Sequence, residues 1–204
     1  IVYKQFVPAI IGQALINSLY NDLNWANPGM PRYTYFMSRC QCPYDYSRHS
    51  IEPAPWHQQL QMLIQHVCKA LNINDDFDCA NLNLYQGSHH SVDWHADDED
   101  RFGADPTILS ISLGSARKFV LRTNQQPFQY DSFLLEDLDV CVMSGNLQAT
   151  HQHKVPKVWP PDPKSVRINI TARVTKKCTC GKLHNTHAPV FNLDPHYFSR
   201  AASS

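Results

Sequence analysis

The spacing of apolar and polar positions changes once along this chain, near residue 79. Before that point the period is helical. Residues 8–20 (PAIIGQALINSLY) predict a first helix, and the fixed φ of Pro8 suits its opening turn. Trp56, Leu60, Leu63, Ile64, Val67 and Leu71 recur on one face of a second helix that starts near Pro55. Residues 21–50, between them, are aromatic-rich and read as irregular, because Pro28, Gly29, Pro31 and Pro43 break any long element.

From Cys79 onward the pattern is that of short strands between turns. Strands are predicted at 79–86, 91–95, 107–113, 117–122, 132–135, 139–144, 151–155 and 166–174. WPPDP at 159–163 is a loop, and 175–204 is a polar tail of weak periodicity. Two helices followed by many short strands define an α+β, mainly β chain, a sandwich or barrel.

Two strands carry polar residues on an entire face. In VRINITARV (166–174), Val166, Ile168, Ile170, Ala172 and Val174 point one way, and Arg167, Asn169, Thr171 and Arg173 the other. NLNLY (81–85) repeats the pattern, with Asn81, Asn83 and Tyr85 opposite Leu82 and Leu84. An edge strand with a solvated face explains this, and so does a barrel whose inside is a polar pocket. In the second case two guanidinium groups with amide and phenol donors form a receptor for a small dicarboxylate, which Arg grips in a two-pronged geometry.

SVDWHADDED (91–100) sets five carboxylates around His95, a local charge density that calls for a cation. His95 and Asp97 stand at i and i+2 on an extended segment and face the same side. A distant histidine would complete two imidazoles and one carboxylate, the set that suits non-haem Fe(II) oxygenases. THQHKVP (150–156) offers His151 and His153 on one face, and spacing alone does not choose between them.

Composition bounds the rest. The 204 residues suit a single domain with a full core, 43% are hydrophobic, and 18 acidic balance 18 basic residues. No global basic field announces a nucleic-acid partner, though neutrality does not exclude one. No apolar run approaches the roughly 20 residues of a membrane span. Seven cysteines, with Cys68, Cys79 and Cys141 alone in apolar surroundings, suit a reducing compartment, cytoplasm or nucleus. The opening IVYKQF has neither an initiator Met nor a signal pattern and reads as excised from a longer protein.

Residues 30–174 resemble the AlkB family of Fe(II)- and 2-oxoglutarate-dependent dioxygenases, in its nucleic-acid-repair branch. The likeness rests on N-x-Y at 83–85, SVDWHADDE at 91–99, G-x-x-R-x-F at 114–119, HKVP at 153–156 and RINITAR at 167–173. It implies a double-stranded β-helix (jelly-roll, cupin-like) barrel with the N-terminal helices packed on it. It implies iron on His95, Asp97 and His153, and 2-oxoglutarate on Asn83, Tyr85, Arg167, Asn169 and Arg173. Arg167 would hold the far carboxylate and Arg173 would lie nearer the metal. Glu99 would accept a hydrogen bond from the damaged base. PYDYSR (43–48) resembles part of the family's substrate lid, here within 21–50, so Tyr46 would stack on an extruded base and Tyr44 would lie near a phosphate.

The implied reaction consumes dioxygen and 2-oxoglutarate, releases succinate, carbon dioxide and formaldehyde, and removes N-methyl groups. A base must be flipped out or single-stranded to enter such a pocket, and a methyl that blocks pairing lowers that cost. The expected substrates are therefore 1-methyladenine and 3-methylcytosine in single-stranded DNA or RNA, read by a monomer. No duplex-wedging hairpin is evident between the first helix and the lid, which favours single strands. Arg32, Arg39, Arg48, Lys118, Arg122, Lys154 and Lys157 are candidate phosphate contacts, and Asp98 and Asp100 are expected as solvated loop charges. A dioxygenase of proteins or small molecules and a silent nucleic-acid reader are the rival readings. The likeness ends at residue 174. In the tail beyond it, Cys178, Cys180, His184 and His187 form a candidate structural zinc set, and Cys40-Gln-Cys42 repeats the C-x-C spacing.

Overall fold

The computed structural model describes residues 1–27, 29–40, 42–46 and 49–177. Its frame is a six-stranded antiparallel sheet in the order β1 (Val2–Tyr3), β10 (Val140–Met143), β7 (Ile108–Gly114), β12 (Val166–Arg173), β5 (Cys79–Gln86) and β2 (Tyr33–Ser38). A four-stranded sheet runs β6 (Val92–His95), β11 (His151–Val155), β8 (Arg117–Thr123) and β9 (Tyr130–Leu135). A short pair, β3 (Tyr44–Tyr46) and β4 (His49–Ile51), and a one-turn helix α3 (Leu147–Thr150) complete the strand-rich part. The arrangement is a double-stranded β-helix. Among the described residues no helix is long and apolar enough to cross a membrane.

Helices α1 (Ala9–Asp22) and α2 (Gln58–Ala70) cover the outer face of the large sheet. Leu15, Leu19, Leu60, Leu63 and Val67 pack there with Leu82, Leu84, Ile111, Leu113, Ile168 and Ile170, all nearly or wholly buried. Each such side chain contributes roughly 1.5–3 kcal/mol on leaving water. This accounts for the apolar halves of β5, β7 and β12.

The polar half faces inward. β12 lies between β5 and β7, so the edge-strand explanation of its alternation does not hold. Its register sets Arg167 opposite Tyr85, Asn169 opposite Asn83 and Ser112, and Thr171 opposite Asn81 and Ser110. Polar residues thus form rows across three neighbouring strands, on the side away from the helices.

The segment expected to be irregular holds an ordered strand. Tyr33–Ser38 joins the large sheet as β2, its Tyr and Phe side chains supplying the β-propensity that the flanking prolines masked. The G-x-x-R-x-F motif is architectural. Gly114 turns β7 into β8 at φ +88°, and a Cβ there would collide with the Val166 carbonyl and the Ile16 side chain. Arg117, three residues on, is buried and donates to the carbonyls of Gly87 and His90.

Candidate metal centre

β6 ends the small sheet, and its last residue, His95, is paired in register with His153 on β11. The two imidazole centroids are 4.2 Å apart. Asp97 follows in the loop, and its Oδ2 lies 3.9 Å from His153 Nε2. Among the described residues, His95, Asp97 and His153 form a group whose ligand atoms all lie within 4.8 Å of one another. His151, the alternative that spacing left open, is not part of it.

The electrostatics favour ligation. His95 Nδ1 lies 2.9 Å from the Asp93 carbonyl, and a neutral ring that donates its proton there keeps its lone pair on Nε2. Burial, reinforced by His95, pushes the His153 imidazole down to about 3, so it is neutral at ordinary pH. Burial alone would raise the Asp97 carboxyl; Arg173 and the two imidazoles outweigh it and bring the group down to about 2. The site therefore presents one carboxylate and a neutral His153 imidazole beside the His95 ring, a ligand set that suits a divalent iron.

Arg173, at the end of β12, donates to Asp97 Oδ1 at 2.5 Å. The Asp97 amide donates to Gln148 Oε1 at 2.9 Å. Gln148 is buried on α3 and went unremarked in the sequence, where nothing marks it beyond its nearness to His151 and His153.

A cavity partly open to solvent begins at these ligands and is lined by Asn81, Asn83, Tyr85, Asn169, Thr171 and Arg173 among others. Arg167 packs behind Tyr85 and Asn169, with its guanidinium 5.2 Å from the Tyr85 ring centre and Nη2 donating to Asn169 Oδ1 and Ser112 Oγ. Its Nε and Nη1, and Nε of Arg173, are buried donors without an acceptor among the described residues. Buried N–H groups left unpaired are costly, and carboxylate oxygens would satisfy them. A five-carbon diacid fits this donor set.

Several expected contacts fall elsewhere. Arg32 is buried, lines the cavity and donates to Asn83 Oδ1, so it does not reach an external phosphate. Arg39 is paired with Asp76. Tyr44 is wholly buried, stacked on Phe36 at 4.7 Å, and its hydroxyl donates to Glu99 Oε1 at 2.7 Å; this replaces the expected phosphate contact, because burial removes the ring from any backbone track. Burial raises the Glu99 carboxyl above its ordinary value, with Arg173 working against it. Asp98 and Asp100 are exposed, and Asp100 pairs with Lys177. On the outer face of the small sheet, Arg122 and Lys154 lie 4.3 and 4.4 Å from the Trp94 ring centre. Arg48, the Tyr46 side chain and the zinc set Cys178, Cys180, His184 and His187 lie outside what the structure describes.

A 2-His-1-carboxylate cluster opening on a polar cavity is the arrangement of non-haem Fe(II) oxygenases. The sequence model of the 2OG-Fe(II) oxygenase superfamily matches residues 2–173. The chain is 37% identical over 152 residues to the alpha-ketoglutarate-dependent dioxygenase alkB homolog 3 of Bos taurus, covering 70% of this chain and 51% of that protein. It is 31% identical over 115 residues to the DNA oxidative demethylase ALKBH2 of Arabidopsis thaliana, 46% of this chain and 36% of that one. The solved structure of OsALKBH1 superposes with a TM-score of 0.64 over 85% of this chain and 97% of that chain; at 15% identity this likeness concerns fold alone.

The chain therefore belongs to the 2OG-Fe(II) oxygenase superfamily and, within it, to the AlkB family, oxidoreductases that use Fe(II), 2-oxoglutarate and dioxygen. It spans about half the length of the bovine relative.

Proposed function

We propose that this chain demethylates 1-methyladenine and 3-methylcytosine in single-stranded DNA or RNA. The observation that carries the reading is the placement of Glu99. It stands two residues beyond the metal carboxylate, half-buried, and fixed by the Tyr44 hydroxyl. A single carboxylate oxygen held this way leaves Oε2, buried and without a partner among the described residues, to accept from an exocyclic amine.

When bound, iron, 2-oxoglutarate and dioxygen supply the oxidation that turns an N-methyl group into formaldehyde, with succinate and carbon dioxide as the other products. The residues do the positioning. His95, Asp97 and His153 hold the metal; Arg173 orients Asp97; and Arg167 with Asn169, Asn83 and Tyr85 holds the diacid. Glu99 sets the base so that its methyl faces the metal. An extruded or unpaired base reaches this depth, and a paired one does not. The name of the Arabidopsis relative, a DNA oxidative demethylase, supports a nucleic-acid substrate.

The test is anaerobic reconstitution with Fe(II) and 2-oxoglutarate, then exposure to air with methylated single- and double-stranded oligonucleotides of both sugars. Mass spectrometry should show loss of the methyl mass, with formaldehyde in equal amount, and Asp97→Ala should abolish both. Turnover of 2-oxoglutarate with intact methyl groups on every oligonucleotide would move the function to a protein or small-molecule substrate.

A further inference from the structure

Three asparagines line the cavity, and two of them are committed to neighbours. Asn83 Oδ1 accepts from Arg32. Asn169 Oδ1 accepts from Ser110 and Arg167, and its Nδ2 donates to Thr171 Oγ1 at 2.8 Å. Asn81 differs from both. The residue is 4% exposed and lines the same cavity, yet its Oδ1 is buried without a hydrogen-bond partner among the described residues. Leu82, next along β5, packs into the apolar core, so strand alternation turns Asn81 away from that core and into the cavity. A buried amide oxygen left unpaired is costly, and a bound molecule would satisfy it.

The strand register points to the base rather than the diacid. Asn81 stands opposite Thr171 on β12 and Phe36 on β2. That row is one step nearer the metal than the row of Asn83 and Asn169, because β12 continues from Thr171 to Arg173, which bonds Asp97. Phe36 carries the stacked ring of Tyr44, whose hydroxyl holds Glu99. Asn81 thus lies between the rows that hold the diacid and the carboxylate assigned to the exocyclic amine of the base.

On the basis of the demethylase reading above, we infer that Asn81 hydrogen-bonds a second edge of the target base and selects 1-methyladenine over 3-methylcytosine. A carboxamide presents an acceptor and a donor side by side, whichever way it is turned. Adenine presents the complementary pair, an exocyclic N–H beside the N7 acceptor, and Asn matches it with two hydrogen bonds. Cytosine offers an exocyclic N–H but a C–H where adenine has N7, so the amide donor stays unpaired. Glu99 takes one hydrogen of the adenine amine and Asn81 the other. A methyl on N1 leaves the N7 edge free, so the damage and its recognition do not compete for space.

The test compares single-stranded oligonucleotides carrying 1-methyladenine, its 7-deaza analogue (C–H in place of N7) or 3-methylcytosine. Each is measured on the full chain with Fe(II) and 2-oxoglutarate, as affinity under nitrogen, where nothing turns over, and as kcat/KM in air. The parent should handle the 7-deaza base about tenfold less well than 1-methyladenine. Asn81→Leu, similar in size and without polar side-chain atoms, should lose about the same factor on 1-methyladenine and show no further loss on the 7-deaza base. Its loss on 3-methylcytosine should be much smaller, and its KM for 2-oxoglutarate should match the parent's. Equal handling of 1-methyladenine and its 7-deaza analogue by the parent overturns the inference without recourse to any variant. An equal loss on all three bases in Asn81→Leu overturns it too, by making the residue structural. So does a raised KM for 2-oxoglutarate with the base ratio intact, which would move Asn81 to the diacid. Failure of the demethylase reading shows differently, as no methyl lost in air from any oligonucleotide, and the affinities under nitrogen then still decide the role of Asn81.

Discussion

Arg173 and Asp97, 76 residues apart in the chain, meet as an ion pair in which both side chains are almost wholly buried. The contact joins the central strand of the large sheet to the metal corner of the small one. Removing one charge strands the other in low dielectric, which costs about 3–5 kcal/mol. Asp97→Ala should therefore lower the melting temperature of the metal-free protein as well as abolish iron binding, by calorimetry and metal analysis. Equal stability of variant and parent without metal would show that the pair does not form.

Arg167 offers two buried N–H donors that nothing among the described residues accepts. Arg167→Ala should raise the apparent KM for 2-oxoglutarate by one to two orders of magnitude, taking roughly 1.5–3 kcal/mol for a charge-assisted hydrogen bond. The affinity for methylated oligonucleotide should change far less. The check is a steady-state titration of the diacid at saturating oligonucleotide, and an unchanged KM removes Arg167 from the diacid site.

The Tyr44 hydroxyl fixes Glu99. Tyr44→Phe keeps the stack on Phe36 and removes the hydroxyl that makes this bond, so kcat/KM for 1-methyladenine oligonucleotides should fall about tenfold, the kinetic equivalent of about 1.4 kcal/mol. Uncoupled turnover of 2-oxoglutarate without oligonucleotide should be preserved. Equal loss of both rates would make Tyr44 a residue of general structure.

Trp94 carries two cations on the outer face of the small sheet, Arg122 and Lys154. Two cations held on one indole concentrate positive charge on this face, where a nucleic-acid backbone would be met. Arg122→Ala and Lys154→Ala should each lessen the salt dependence of single-strand binding by about 0.7 in log K against log salt. Fluorescence anisotropy over a salt series measures this, and parallel lines for parent and variants would exclude the face.

Asp139 accepts from the Gln5 and Glu136 amides and from Lys4 Nζ. Burial alone would raise its pKa; the Lys4 bond and the two amides outweigh it and hold the carboxyl below its ordinary 3.8. A depressed carboxyl stabilises the fold above its unfolded-state value, and the contribution vanishes as pH falls through the folded-state value. Asp139→Asn should thus cost roughly 1–3 kcal/mol at neutral pH, and the gap to the parent should close as pH drops below 3.8. A gap independent of pH would assign the loss to shape.

β5 and β12 were legible because apolar and polar residues alternate along them, and the burial of their apolar halves follows from that period. The orientation of the polar halves was not decidable from period alone. Arg167 and Arg173 face inward because β12 is central, and strand order is a long-range property. β2 was hidden by the prolines around it. Arg32 and Tyr44 looked like surface residues by type, yet their partners Asn83 and Glu99 come from distant parts of the chain. Gln148 gave no signal, since an amide that accepts from a backbone N–H leaves no spacing to read.

The two kinds of anchor occupy strands of unequal protection. β12, with Arg167 and Arg173, is hydrogen-bonded on both flanks, whereas β6, with His95, has β11 on one side only. Amide exchange should thus be slower through β12 than along the edge strand that carries His95. Fraying at that rim would release metal long before the arginines lose their places, so a chain stripped of iron stays poised to take it up again.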